Sequence, residues 1–490
     1  MNRRSSWTLE LDRDDDGPLV ARIAAAVRAD IARGRLRPGQ RLPGTRSLAA
    51  TLETSRGTIV AAYEALAAEG WLRGDPARGT FVAELATDER PRRFAATAGP
   101  RSGVPTRPGF ELGPPPRAEP PQELTARPYN LAGGLPDPRL VPATALARAY
   151  RRALGLSGAR LLDYGDPRGH PALREALATM LAERRGLATS TDDVLVTRGS
   201  QMALWLIAST LCRPGDRVAV EALCYRAARD AFTAAGAALS PAPIDADGLV
   251  VEALAEPMAR GELRAVYLTP HHHYPTTVTL AAARRLRLLE LARRHRVAII
   301  EDDYDNEFHY EGRPVLPLAS VDRSGVVIYI GTLSKVVAPG LRIGYVVAPP
   351  PVLERMLIAR GLIDRQGDLA TEAAVAELMA DGELRRHILR ARRLYGERRD
   401  ALCEALEQRL SGALTFSRPR GGMSLWAAVD PSIDLERWEQ RALEQGVAVA
   451  PGRRFTADDT PIPFLRLGFA RHEPGELALA VRRLARALRR

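Results

Sequence analysis

The sequence predicts an α/β protein in two parts, a small helical domain that ends in a hairpin and a large domain built on a mostly parallel sheet. From residue 129 onwards, short apolar runs alternate with segments of helical periodicity, which favours a parallel sheet with helices on both faces. After about residue 348 the pattern indicates a smaller α/β subdomain. The stretch before residue 129 is rich in proline, glycine and arginine, as linkers are. We therefore predict domains at 14–83 and 129–490, joined by a linker at 84–128.

The composition indicates a folded protein of several domains. The chain has 490 residues, of which 46% are hydrophobic, enough for a sizeable core. No apolar run approaches the roughly 20 residues of a membrane span, and the N-terminal stretch lacks the pattern of a secretory signal. Three scattered cysteines do not suggest a disulfide framework or a metal cluster. We expect a cytoplasmic protein.

The small domain is predicted to hold three helices and a hairpin. Apolar residues recur four apart from Leu19 to Ile31 and stop at Gly34, which indicates an amphipathic helix with a glycine stop. A second short helix fits residues 45–52. A third should start at the cap-like pair Thr54, Ser55 and run to Gly70, and alternation over 71–82 predicts the hairpin.

A basic region in this domain points to a polyanionic partner. Between residues 33 and 56 several arginines face a single acid, Glu53. In a helix-turn-helix the N-terminal end of the third helix lies near the bases, and Arg, Ser and Thr contact phosphates. We interpret the arginines at 33, 35 and 37 as solvated charges. The candidates for DNA contacts are Arg41, Thr45, Arg46, Ser55, Arg56 and Thr58.

Residues 38–72 resemble the GntR-type winged helix, in the proline-glycine turn, the LP-x-(S/T)-R segment, the S-R-x-T helix start and the A-Y-x-x-L-x-x-E-G run. Two positions depart from that pattern. Glu53 stands where the family has a glycine between helices, and the wing reads DPARGTFV instead of ending in G-S-G-T-F.

The composition also singles out one lysine. Lysine and arginine together number 70, yet the sequence contains a single lysine, Lys335. A lysine that persists against such a bias indicates a position where a guanidinium group cannot substitute. Imine formation is such a case, because it needs a primary amine that can lose its proton. Chance survival is the alternative, and the residues around Lys335 argue against it.

Those residues supply the groups that a pyridoxal 5'-phosphate (PLP) site needs: a carboxylate for the ring nitrogen, an aromatic ring and phosphate donors beside the amine. Asp302 and Tyr304 end a strand-like run and, being two apart, share one face of it. A strand-to-helix junction at 199–201 offers backbone N–H groups to a phosphate. The other candidates are Thr332, Ser334 and Arg342 near the amine, Tyr225 as the stacking ring and Arg466 for a ligand carboxylate.

The combination resembles the fold-type I aminotransferases, and the chain from about residue 17, apart from the linker, resembles the MocR family, which fuses a GntR-type winged helix to that fold. In the large domain the resemblance rests on 164–178, 197–204, 301–308 and 331–345. It implies a transcription regulator that binds promoter DNA and senses PLP, or PLP with an amino compound. It also implies a head-to-tail, domain-swapped homodimer. Whether the chain is of the type that regulates pyridoxine synthesis stays open.

The resemblance assigns a role to each candidate. Lys335 forms the Schiff base with PLP. Asp302 pairs with the ring nitrogen, Tyr304 contacts the 3'-oxygen and Tyr225 stacks on the ring. The phosphate is held by Gly199, Ser200, Gln201, Thr332 and Arg342.

One segment, TPHHHYPTTVTL at 269–280, departs from the family form, which is closer to TPSHQ-(F/Y)-P-T-G. Thr277 replaces a glycine, and three histidines replace Ser-His-Gln. Three consecutive side chains cannot converge on one ion without partners, so we expect no metal. The segment EALCY also lacks the Pro-Gly common before the stacking tyrosine.

Two other hypotheses remain open from the sequence. The first is a working aminotransferase whose DNA-binding domain is incidental, since every group needed for transamination has a candidate. The second is a DNA-binding dimer whose large domain serves only as a scaffold. A regulatory response that depends on Lys335 would exclude the second.

Overall fold

The structure is a computed structural model, in which the chain divides into two units, Met1–Gly113 and Pro114–Arg490. Most of the predicted linker at 84–128 lies outside the described residues. Within the described part, no helix is long and apolar enough to cross a membrane. The structure describes residues 7–11, 18–75, 77–83, 109–112 and 128–489.

The N-terminal unit contains the three helices and the antiparallel hairpin that the sequence predicts. The apolar residues of the first helix face the third, and Ile23 and Val27 are fully buried. Burial of each such side chain contributes about 1.5–3 kcal/mol. The elements are α1 (Leu19–Ala32), α2 (Thr45–Thr51), α3 (Arg56–Ala68), β1 (Leu72–Asp75) and β2 (Gly79–Val82).

The turn between α2 and α3 has the geometry of a helix-turn-helix. Glu53 adopts a φ of +50°, in the left-handed region that favours glycine, at the position where the family has one. Ser55 then caps α3, because its hydroxyl oxygen accepts a hydrogen bond from the Thr58 N–H at 3.1 Å. The turn is therefore kept although a glutamate occupies the strained position.

The C-terminal unit is built on a seven-stranded sheet of order β4-β12-β11-β10-β9-β5-β6, counted over the described residues. Only β12 runs against its neighbours, so the prediction of a mostly parallel sheet is confirmed. The strands are β3 (Tyr129–Asn130), β4 (Val194–Thr197), β5 (Arg217–Glu221), β6 (Ala238–Ala242), β7 (Ile244–Asp245), β8 (Gly248–Leu249), β9 (Ala265–Leu268), β10 (Ala298–Asp303), β11 (Val327–Thr332) and β12 (Gly344–Val347).

A smaller antiparallel sheet of order β13-β14-β17-β16 packs with the last helices, as the predicted subdomain requires. Its strands, with a short β15, are β13 (Leu414–Phe416), β14 (Ser424–Val429), β15 (Val447–Ala448), β16 (Ala450–Pro451) and β17 (Phe464–Gly468). The helices of this unit are α4 (Ala143–Leu161), α5 (Pro171–Arg185), α6 (Gly199–Leu211), α7 (Arg226–Ala234), α8 (Glu252–Ala259), α9 (Ala282–His295), α10 (Pro350–Gly361), α11 (Leu369–Ala380), α12 (Glu383–Leu410), α13 (Leu435–Glu444) and α14 (Pro474–Arg489).

The topology brings the predicted cofactor residues to one edge of the large sheet. The carboxyl ends of β4, β5, β9, β10 and β11 meet there, because these strands run in the same direction. In open α/β sheets this edge is where ligands bind.

Candidate cofactor site and nucleic-acid interface

Lys335 lies just after β11, at the carboxyl edge of the sheet. Burial lowers the pKa of its amine to about 8, with Arg466 and Arg342 acting in the same direction. The negative charges of Asp305 and Asp302 oppose that effect and raise the pKa. The amine therefore loses its proton at a lower pH than an ordinary lysine does, which favours its action as a nucleophile.

Asp302 has the environment expected of a carboxylate that holds a protonated ring nitrogen. It is buried, and its Oδ2 accepts a hydrogen bond from the Tyr267 hydroxyl at 2.9 Å. Its Oδ1 has no hydrogen-bond partner among the residues that the structure describes. Burial raises the pKa of Asp302 to about 7, although the Tyr267 hydrogen bond lowers it. A buried acceptor without a donor is costly, so a ligand N–H at this place would be stabilising.

A cluster of aromatic rings lines the site beside Asp302. Tyr225 lies at the N-cap of α7, with its ring centroid 5.3 Å from that of Tyr274. Tyr304 is 5.9 Å from the same ring, and its hydroxyl donates to the His272 carbonyl at 3.1 Å. Tyr274 is thus the centre of the aromatic cluster.

Arg466, on β17, places its guanidinium 4.4 Å from the centre of the Tyr274 ring. The side chain is buried, and within the described part of the chain its Nε has no hydrogen-bond partner. Among the described residues, no carboxylate forms an ion pair with it. A buried, unpaired arginine is costly, so this one is suited to an anionic ligand such as a carboxylate.

The N-terminus of α6 and Arg342 form a cradle for an anion. Gly199 begins α6 with a φ of +75°, and a Cβ on it would lie 2.8 Å from Nη2 of Arg342. Among the described residues, the buried Ser334 hydroxyl has no hydrogen-bond partner, whereas the Gln201 amide N–H donates to the Ala227 carbonyl. Ser200 lies in the same helical turn. Backbone N–H groups, a guanidinium and the Ser334 hydroxyl together suit a phosphate.

The hydroxyl of Thr332 is less available to donate to a phosphate than the sequence predicts. Its hydroxyl donates to the Ile343 carbonyl at 3.2 Å and accepts from the Ser334 N–H at 3.1 Å. The proton of this hydroxyl is therefore engaged within the fold, whereas Ser334 keeps an unpartnered hydroxyl. We expect Ser334 to donate more readily to a phosphate.

In the segment 269–280, the three histidine rings each lie within hydrogen-bonding distance of a side chain or a backbone carbonyl. Nδ1 of His272 lies 2.8 Å from Oδ1 of Asp305, and Nε2 of His273 lies 2.8 Å from the Leu223 carbonyl oxygen. Thr277 adopts a φ of +65°, which explains why a glycine is usual there. Within the described part of the chain, no group of three or more His, Cys, Asp or Glu side chains is placed to hold a metal ion.

In the N-terminal unit, the candidate DNA contacts of α2 and α3 lie together. Nε of Arg56 donates to the Thr45 hydroxyl at 3.4 Å, which joins the starts of the two helices. Ser55 and Arg46 are exposed beside them. Arg41 is also exposed, but it lies at the hairpin, where a Cβ on Gly79 would be 3.2 Å from its Nε.

Arg35 is exposed, which agrees with its interpretation as a solvated charge, but it also has a structural partner. Its guanidinium pairs with Asp30, a buried carboxylate that also accepts a hydrogen bond from the Trp7 indole at 2.7 Å. Arg35 therefore compensates a buried charge. Sequence reasoning also missed Arg73 and Arg78, two exposed arginines of the hairpin that could reach a DNA backbone.

Two family models match the chain. The model for bacterial regulatory proteins of the gntR family matches residues 19–82, and the model for aminotransferases of class I and II matches residues 130–484. The chain is also 33% identical to the probable rhizopine catabolism regulatory protein MocR of Rhizobium meliloti, over 95% of this chain and 93% of that protein. The chain belongs to the MocR family of GntR-type regulators.

Other relatives agree with membership of the MocR family. The HTH-type transcriptional regulator TauR of Rhodobacter capsulatus is 33% identical over 96% of this chain and 97% of that protein. Among solved structures, the α-aminoadipate aminotransferase LysN of Thermus thermophilus, complexed with N-(5'-phosphopyridoxyl)-L-leucine, is 32% identical with a TM-score of 0.69. The match covers 74% of this chain and 92% of that one.

The kynurenine aminotransferase of Pyrococcus horikoshii is 34% identical, with the same TM-score, over 74% of this chain and 90% of that one. The prediction of an aminotransferase-like fold is confirmed. PLP is the cofactor expected of this fold, and the residues of this MocR-family chain fit it. The observations that fit are the free Oδ1 of Asp302, the cradle at Gly199 and the lowered pKa of the buried Lys335 amine.

Sequence reasoning missed two residues of the site in this MocR-family chain. Tyr267 lies on β9 and reaches Asp302 from the neighbouring strand. The strand pattern was visible, but the order of the strands was not. Tyr274 was present in the segment that departs from the family, and its position beside Arg466 depends on a contact between distant parts of the chain.

Proposed function

We propose that the protein is a transcription regulator that binds promoter DNA through its N-terminal unit and responds to PLP held at Lys335, alone or with an amino compound. The observation that carries the proposal is a lysine amine of lowered pKa, close to a carboxylate oxygen that has no hydrogen-bond partner among the described residues, in a chain that also presents a capped helix after a helix-turn-helix turn. DNA binding requires access to the chromosome, so we expect the protein to act in the cytoplasm.

Each residue of the proposed site has a physical task. PLP, when bound, supplies an aldehyde that an amine can attack. Lys335 would provide that amine, and its pKa of about 8 keeps a far larger fraction of it unprotonated near neutral pH than in an ordinary lysine. The Oδ1 of Asp302 would accept the ring N–H, while the cradle of Gly199 and Arg342 would hold the phosphate.

The direct test is the affinity of the protein for DNA with and without PLP. The probe is duplex DNA selected from a random-sequence pool for binding to the PLP-free protein. A ligand regulates only if it binds one conformation better than another, and typical couplings change affinity roughly 5–150-fold. We therefore expect at least a fivefold difference, measured by fluorescence anisotropy at constant salt.

One control and one contradicting result define that experiment. Pyridoxine, which has the ring but no aldehyde or phosphate, should leave the affinity unchanged. Equal DNA affinity with and without bound PLP would refute the sensing half of the proposal and leave a DNA-binding protein with an aminotransferase-like scaffold.

We also propose that the regulator acts as a homodimer, with the head-to-tail arrangement that its family implies. The C-terminal unit exposes large apolar side chains on neighbouring segments: Leu162 is 79% exposed, Tyr164 73% and Leu362 87%. These segments contact each other, because the Arg365 guanidinium lies 4.5 Å from the Tyr164 ring centre and the Gly165 N–H donates to the Gln366 side chain. Contiguous exposed apolar surface of this kind marks an interface.

Replacing Leu362 with aspartate is expected to weaken the dimer by introducing a charge into that apolar contact. Light scattering across a dilution series would show dissociation at concentrations at which the wild type stays dimeric. Leu286→Asp, at an exposed position of α9, is the matched control and should have no effect. A monomeric wild type, or a Leu362→Asp variant that dimerises normally, would exclude this face.

An aminotransferase is the second candidate, because Arg466 is suited to an amino-acid carboxylate and relatives such as the 2-aminoadipate transaminase of Thermus thermophilus are 34% identical over 75% of this chain. Rapid conversion of amino acids to keto acids, at about 1 to 10³ per second, would favour it. Trace turnover would not.

A further inference from the structure

A second buried charge cluster lies on the face of β10 that points away from Asp302. Its centre is Asp303, whose Oδ2 accepts a hydrogen bond from the Tyr329 hydroxyl at 2.6 Å. Nε of Arg185 lies 3.5 Å from the same oxygen, and the side chains of Arg185 and Asp303 are only 6% and 2% exposed. The pair is therefore shielded from water.

The strand geometry explains why the two aspartates are separate yet close. Successive side chains of a strand point to opposite faces. Asp302 shares its face with Tyr267 of β9, whereas Asp303 shares the other face with Tyr329 of β11. The two residues are adjacent in the buried strand, so the charge of Asp303 acts on Asp302 across the strand.

Arg185 belongs to more than one pair. Its Nη2 donates to Oε1 of Glu307 at 2.9 Å, and both residues line an open groove of about 1110 Å³ between α5, α11 and α12. Arg285 of α9 also acts electrostatically on Asp303, but its Nη2 donates to the Leu316 carbonyl. The charged and titratable groups that act electrostatically on Asp303 are Arg185, Arg285, Glu301, Tyr329 and Tyr345 on its own side and Asp302 across the strand.

We propose that Arg185 is a positioning residue that acts through Asp303 to set the charge around Asp302, and so the protonation of the groups that hold the cofactor. Arg185 neutralises Asp303 from the far side of the sheet. Arg185 thereby limits the increase in the proton affinity of Asp302 that the charge of Asp303 causes. The inference rests on the proposed PLP site and deepens it.

The electrostatics of Asp302 agree with this role. Burial is the largest cause of its raised pKa, and the charge of Asp303 raises the pKa further. If Arg185 were lost, the uncompensated charge of Asp303 would increase the proton affinity of every group on the cofactor face. If Asp303 were made neutral, the proton affinity of those groups would fall.

The test is a pH titration of the visible absorbance of the PLP-loaded protein. Arg185→Gln is expected to raise the pH at the midpoint of the absorbance change, and Asp303→Asn is expected to lower it. Each shift should be roughly one pH unit, the effect of a unit charge across a buried strand. The double variant should return close to the wild-type midpoint, because both charges are absent. Arg184→Gln is the matched control, because it removes a cation from the same end of α5. Arg184 lies 3.6 Å from the Glu307 carboxylate and, among the described residues, forms no ion pair with Asp303.

The outcomes separate this inference from the proposed function. A wild-type protein that shows no visible absorbance with PLP would refute the proposed site itself. Normal absorbance, with midpoints that do not move or that move in the same direction in both single variants, would overturn the role of Arg185 alone. Since Asp303→Asn preserves size, it keeps the test decisive even if Arg185→Gln folds poorly.

Discussion

Replacing Lys335 with alanine is expected to abolish covalent attachment of PLP. Reduction of the PLP-loaded wild type with borohydride should fix a single pyridoxyl group on each chain. Because Lys335 is the only lysine, peptide mass spectrometry should locate the group without ambiguity. The variant should carry none and should lose the visible absorbance and the effect of PLP on DNA affinity.

Lys335→Arg is the informative control, since it keeps a positive charge but cannot form an imine. It should behave like Lys335→Ala in attachment while keeping its fold, which circular dichroism would verify. Equal labelling of wild type and Lys335→Ala, through the N-terminal amine, would contradict the assignment of Lys335.

The rate of attachment should also depend on pH in a defined way. Burial and the positive charges of Arg466 and Arg342 lower the pKa of Lys335 from 10.5 to about 8, against the opposing effect of Asp305 and Asp302. Only the unprotonated amine attacks an aldehyde. The rate should therefore rise as the pH increases through about 8 and level off above it. A rate that keeps rising towards pH 10.5 would mean that the amine is not perturbed.

Replacing Arg56 with alanine is expected to weaken DNA binding at least tenfold. The residue is exposed in the first turn of α3, where a recognition helix presents its side chains to the bases. Loss of a base contact costs about 1–3 kcal/mol of binding free energy. Loss of a phosphate contact instead lowers, by about one, the slope of the logarithm of the binding constant against the logarithm of the salt concentration. Anisotropy titrations at several salt concentrations would distinguish the two roles.

Arg33→Ala is the matched control for this prediction. Arg33 is exposed at the C-terminal end of α1, away from the starts of α2 and α3, so its loss should change the affinity little. Equal losses in both variants would indicate a diffuse electrostatic attraction, and the assignment of α3 as the recognition helix would then be wrong.

Local features of the fold were predictable because neighbouring residues encode them. Apolar residues spaced four apart predict α1, and the cap-like pair Thr54 and Ser55 predicts the start of α3. Short apolar runs predict β10 and β11, and the polar residues that follow them place Asp302 and Lys335 at strand ends. The chemistry of an imine and the absence of other lysines single out Lys335.

The tertiary structure alone decided which side chains meet. Tyr267 reaches Asp302 only because β9 lies beside β10 in a given register. Arg466 meets Tyr274 only because the smaller sheet packs against the carboxyl edge of the larger one. By itself, the sequence determined the periodicities, the turn residues and the reactive amine, since these depend on a few adjacent residues. Strand order and register depend on the packing of the whole chain, which decided the partners of each buried charge.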